Sequence, residues 1–142
     1  MGLINDEAAA QVREVFESLV NPVRLAVFSQ TLGDPASGDV KRLIEELCAL
    51  DSRLSVESCN FVLDTEKVEA YRIARTPAIA VLGAEKDYGI RFYGIPSGYE
   101  FQTLVHAILD VSAGESGLLP ETRAALAEVG KDVQIQVFST PT

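Results

Sequence analysis

The chain has 142 residues, 12 Lys and Arg against 21 Asp and Glu, two cysteines and a formal net charge of −9. That length suits one domain with a core of its own and no disulfide scaffold, and the acidic balance excludes a general binder of nucleic acid or anionic membrane, since both need a basic face. No apolar run approaches the ~20 residues that span a bilayer, and the N-terminus lacks a basic-then-apolar leader, so a cytoplasmic protein is expected.

Residues 5–20 read as an amphipathic helix, with Ala8, Val12, Val15, Phe16 and Leu19 at helical spacing and Asn5 as its N-cap. Asn21-Pro22 stops it, and Val23 to Phe28 is a short apolar run expected to be a buried strand. A polar, Gly- and Pro-containing stretch leads to a helix over about 37–51, with Val40, Leu43, Ile44, Leu47 and Cys48 on one stripe. Leu54 to Val62 reads as a second strand and Asp64 to Ile73 as a short helix capped by Asp64. Thr76-Pro77 precedes the run Ala78 to Leu82, and a turn leads to Tyr88–Tyr93, giving a hairpin. Ser97-Gly98-Tyr99-Glu100 is a capping-box pattern that opens a helix with Phe101, Leu104, Val105, Ile108 and Leu109 on one face. The order implies an α/β fold: a mixed four-stranded sheet with helices on both faces, begun by a right-handed β-α-β crossover.

The tail repeats the beginning. Pro120 to Val129 is a helix with Pro at its first position, and Val133 to Ser139 follows as a strand. Its apolar positions match those of Val23 to Ser29 at an offset of 110 residues. A helix precedes the strand in both places, as expected of a second unit that has begun. An unpaired strand of this kind would favour a homodimer.

The residues resemble the N-terminal half of the two-unit protein disulfide oxidoreductases of thermophilic prokaryotes, built from glutaredoxin/thioredoxin-like units. The most specific stretches are Met1–Ile4, Val20–Val23 and Tyr88–Phe101, with Asp110-Val111-Ser112 and Val137–Thr142 also fitting. A looser resemblance is to the N-terminal domain of the flavin subunit of alkyl hydroperoxide reductase. The resemblance implies a thioredoxin-like fold, with residues 1–114 as one unit and 115–142 as the first helix and strand of another. It implies a cis bond at Thr76-Pro77 facing the active site, with the peptide at Thr76 offering its backbone to an extended protein or peptide substrate. Pro35 and Gly94 are further groove candidates. It also implies a Cys-x-x-Cys beyond Thr142.

This unit has no such motif. Thiol–disulfide exchange needs an attacking thiolate and a resolving thiol, best placed where a helix N-terminus lowers the first pKa. Counting back from the helix stripe, those positions hold Asp34-Pro35-Ala36-Ser37. Asp34 is expected to cap the helix with Pro35 at its first position, and Ser37 is a second capping candidate. Cys48 and Cys59 are expected in the core, with a disulfide between them left open. His106 is expected at the edge of its helix, solvated or half-buried. Glu45-Glu46 and Glu66-Lys67 are expected on exposed helix faces. Asp34 with Asp39 is too few ligands for a cation site, and no phosphate-binding glycine pattern is present, so no cofactor or metal is expected. The expected role is a redox-inactive unit that packs and recognises. The alternative is a thioredoxin-like binding module with no redox role.

Overall fold

A computed structural model describes residues 2–140. Met1 and Pro141-Thr142, the ends of two stretches that carry the resemblance, lie outside the described residues. The elements are α1 (Asp6–Phe16), β1 (Val23–Ser29), α2 (Ser37–Cys48), β2 (Leu54–Asn60), α3 (Thr65–Ala70), β3 (Ala78–Gly83), β4 (Ile90–Tyr93), α4 (Tyr99–Ala113) and α5 (Pro120–Ala127). The sheet order is β2-β1-β3-β4. β1 and β2 run parallel, while β3 is antiparallel to both β1 and β4. This is the mixed sheet expected from the element order.

β1 is central, and its residues Leu25 to Phe28 are all buried. Alternate side chains go to opposite faces. Leu25 and Val27 join a core with Val12 and Phe16 of α1, Ile44 and Leu47 of α2, and Leu104 and Ile108 of α4. Ala26 and Phe28 face the other side, under Ile73, Tyr71 and Val68 of the α3 region. Helices therefore cover both faces, unequally.

Polar groups fix the layers at three points. Ser112, 1% exposed, accepts from the Val20 and Asn21 N–H groups at 2.9 and 3.0 Å. It also donates to the Asn21 carbonyl at 2.8 Å, which ties the α1–β1 turn to the end of α4. The Glu46 carboxylate accepts from Leu3 and Ile4 N–H at 2.7 and 3.0 Å and pins the N-terminal segment to α2. The Arg53 guanidinium donates to the carbonyls of Phe16 and Leu19 at 2.9 and 2.6 Å, closing the C-terminal end of α1. Asp51 holds that guanidinium at 2.7 and 2.9 Å.

Several expectations are corrected. α1 ends at Phe16 rather than near residue 20, although Asn5 caps it as expected, accepting from Ala8 N–H at 2.8 Å. The capping box does not form: α4 has Gly98 at its N-cap with φ 60°, and the backbone carbonyl of Ser97 takes the Glu100 N–H instead. A backbone with positive φ at Gly98 turns the Ser97 side chain away from the cap position. β2 stops at Asn60 because residues 61–63 turn, and the Asp64 side chain makes no cap to α3 because it accepts from Asn60 N–H at 2.6 Å. Val133–Ser139 is not a strand. Those residues are exposed, α5 buries no residue, and no neighbouring strand pairs with the tail among the described residues. A strand pattern needs a ladder partner before it becomes a strand.

The ion pair at Arg53 gives a pH prediction. Hydrogen bonding from Arg53 holds the Asp51 carboxyl down at about 2. A depressed folded-state pKa contributes stability in full above the unfolded value of about 3.9 and loses it as pH falls towards 2. Urea unfolding of the wild type and Asp51→Asn should differ by about 1 kcal/mol above pH 5, discounted for the exposure of Arg53. The gap should close between pH 4 and 2.

Candidate functional site

The register gathers one end of the sheet. Phe28 stands opposite both Cys59 and Ala78, and Ala78 opposite Tyr93. The segments just beyond these residues, at Gln30–Ala36, Phe61–Leu63, Thr76-Pro77 and Gly94, therefore leave the sheet at the same end. Two backbone bonds join them: Phe61 N–H to Ser29 carbonyl at 2.8 Å, and Gly94 N–H to Pro77 carbonyl at 2.9 Å. The Thr76-Pro77 peptide bond is cis. Pro77 is buried and Thr76 half-buried.

Asp34 and Ser37 meet at the start of α2. The Ser37 hydroxyl donates to Asp34 Oδ2 at 2.5 Å and accepts from Gln30 N–H at 3.2 Å. Ser37 N–H reaches the Asp34 carbonyl at 3.3 Å. The capping expectation is corrected here. α2 begins at Ser37 with Ala36 at the N-cap, no side chain caps it, and Pro35 precedes the helix. The physical reason is competition: the nearby hydroxyl takes the carboxylate that would otherwise have reached the helix N–H groups. Ser37 is 4% exposed, so its oxygen is spent on structure and is closed to a substrate.

The cysteines lie elsewhere. Both are free thiols, which settles the pairing left open by the sequence. Cys48 belongs to the α1/α2/α4 side of the sheet and Cys59 to the α3 side. Burial pushes the Cys48 thiol up to about 12. Burial also raises Cys59; Glu57 and Asp64 add to this, while Lys67 and Arg24 act against it. Both environments therefore disfavour the thiolate. His106 is exposed on α4. No group of three or more metal-ligating side chains occurs among the described residues.

Two residues read as exposed faces do more. Glu46 anchors the N-terminal segment, and Lys67 reaches Glu57 at 2.5 Å. Both partners are distant in sequence, so no local signal could reveal them. Other contacts missed by the pattern are aromatic. The Arg75 guanidinium sits 4.4 Å from the Tyr93 ring centre, and the Tyr93 hydroxyl accepts from Ala74 N–H at 3.2 Å, steadying the segment before Thr76.

No family model matches the chain, but solved structures and curated proteins resemble it. A protein disulfide oxidoreductase from Aeropyrum pernix superposes with a TM-score of 0.78 and 29% identity, over 88% of this chain and 55% of that one. The N-terminal domain of the alkyl hydroperoxide reductase AhpF from Enterococcus faecalis gives a TM-score of 0.76 and 26% identity, over 84% and 58%. Among curated proteins, an NADH dehydrogenase of Bacillus subtilis is 33% identical over 103 residues, and the alkyl hydroperoxide reductase AhpF of Staphylococcus epidermidis 29% over 133. The chain spans about a fifth of the length of these curated relatives, 18% and 22%. The fold is thioredoxin-like. Within that class, its neighbours include a disulfide oxidoreductase and the N-terminal domain of AhpF, the two groups that its residues resemble. No helix among the described residues is long and apolar enough to cross a membrane.

The buried thiols make a direct prediction. Native protein treated with iodoacetamide at pH 8 should show less than about a tenth of the labelling at Cys48 and Cys59 that the urea-unfolded chain shows, read by mass spectrometry. Rapid native labelling of either would contradict the burial described.

Proposed function

We propose that this chain is the redox-inactive N-terminal thioredoxin-like unit of a glutaredoxin-like protein disulfide oxidoreductase. Residues 1–114 form the unit, and 115–142 begin a second one. Exchange itself is carried by a Cys-x-x-Cys beyond residue 142, where one thiolate attacks a substrate disulfide and the second thiol resolves the mixed disulfide. The observation that carries this reading is the Asp34–Ser37 hydrogen bond. A carboxylate and a buried hydroxyl stand at the helix start where exchange would need two thiols. The likeness to larger relatives, of which the chain spans only a part, supports a parent with further domains. The uncovered apolar residues of the tail are then the surface that the second unit buries.

In this reading the unit's role is to pack and to recognise. An extended polypeptide lies along the end of the sheet, adding to the backbone at Thr76 beside Pro77, Pro35 and Gly94, with Asp34 at its rim. The cytoplasm suits two unpaired buried cysteines. A second reading, a thioredoxin-like binding module with no redox role, rests on the same absence of vicinal thiols in this unit. The coding sequence past Thr142 separates the two. Cys-x-x-Cys within a few residues supports the first, and its absence overturns it.

Two measurements test the role of this chain. The 142-residue protein should not accelerate insulin reduction by dithiothreitol above a no-protein control; acceleration abolished by Cys48→Ser or Cys59→Ser would overturn the proposal. The double substitution Asp34→Cys and Ser37→Cys should create a disulfide that forms under mild oxidant and reduces with dithiothreitol. Two thiols that stay free would refute the assignment of these positions.

A further inference from the structure

The loop after β2 is fully tied down yet turns aliphatic side chains to water. The Asn60 N–H donates to the Asp64 carboxylate at 2.6 Å, and the Asp64 N–H to the Asn60 carbonyl at 2.8 Å. Between them, Phe61 N–H reaches the Ser29 carbonyl, while Val62 and Leu63 N–H both reach Asn60 Oδ1 at 2.9 and 3.0 Å. Five consecutive backbone donors are thus satisfied, and the loop has little freedom to fold its side chains inward. Val62 nevertheless stays 63% exposed and Leu63 78%. The loop after β1 does the same. Gln30 Nε2 donates to the Leu32 carbonyl at 2.9 Å, Gly33 follows at φ 82°, and Leu32 is 86% exposed. Because β1 and β2 are parallel neighbours with Ser29 opposite Asn60, the two loops leave the sheet side by side.

The loops themselves carry charges of one sign. Residues 30–36 and 60–66 contain Asp34, Asp64 and Glu66 and no Lys, Arg or His. The next cations in sequence, Lys41 and Lys67, lie beside Glu45 at 3.9 Å and Glu57 at 2.5 Å. An aliphatic pair of loops with an acidic rim matches a partner that brings apolar side chains and positive charge together.

We propose that the loops after β1 and β2, through Leu32, Val62 and Leu63, dock a polypeptide segment that interleaves aliphatic side chains with Lys or Arg. The inference rests on the reading of this end of the sheet as a recognition face, and it names the chemistry of what is recognised. The aliphatic side chains pack on the three exposed residues, and the cations face Asp34 and Glu66. Recognition of this kind is sensitive to salt.

The test uses the isotopically labelled 142-residue chain and two capped hexapeptides, one alternating leucine with lysine and one alternating leucine with glutamate. The lysine peptide should move the backbone amide signals of Leu32, Val62 and Leu63, and its affinity should fall at least about fivefold between 50 and 300 mM salt. Val62→Ser with Leu63→Ser should weaken it about tenfold while core amide signals stay in place, and Leu32→Ser alone gives an independent check. Equal binding of the glutamate peptide, or unchanged binding to the serine variants, would overturn the docking assignment. Movement at Thr76 and Gly94 without movement at Leu63 would overturn it too, leaving the wider recognition reading intact. No movement at either place would overturn both.

Discussion

The structure depends on the burial of β1. It is paired on both edges, and its four residues Leu25 to Phe28 are closed off on both faces. A strand in that position can carry no exposed polar side chain along its middle, which is why it reads as a continuous apolar run rather than an alternation. Its burial sets the depth of the first four helices. α1, α2 and α4 pack against its odd-numbered side chains and α3 against its even-numbered ones. At each end β1 runs into a turn or loop. The C-terminal end opens onto the loop that holds Asp34.

At that end the polar groups are paired among themselves. Two thiols at a helix start would sit ready to form a bond with a partner. The carboxylate and hydroxyl there instead satisfy each other, and the Gln30 amide closes the arrangement. The result is rigid and chemically quiet. The cysteines the chain does have are buried on opposite sides of the sheet, where their thiols are held above the range in which they ionise. The same end presents aliphatic side chains on constrained loops.

Much of this was legible in the sequence, because periodicity and turn residues act locally. The apolar stripe Val40, Leu43, Ile44, Leu47 located α2. Asn5 announced its cap. What stayed hidden depends on partners far along the chain. Arg53 closes α1 from 34 and 37 residues away, and Glu46 holds Leu3 and Ile4 across more than 40. The capping partner of Asp34 was misread for a related reason: three acceptors and donors within one turn compete, and residue type does not rank them. The tail shows the opposite failure. Val133, Ile135 and Val137 carry a sound strand pattern, but a pattern cannot supply the neighbour that a strand requires.

Ser112 carries a consequence for the order in which the molecule is made. Its hydroxyl completes a turn, Val20-Asn21, that is synthesised some 91 residues earlier. Until α4 has left the ribosome, the two N–H groups and the carbonyl of that turn can be satisfied only by water, and the junction between α1 and β1 stays unsealed. The turn between α1 and β1 is thus closed by a residue near the end of α4. The fold matures as a ring that shuts, rather than as a stack that grows from one end.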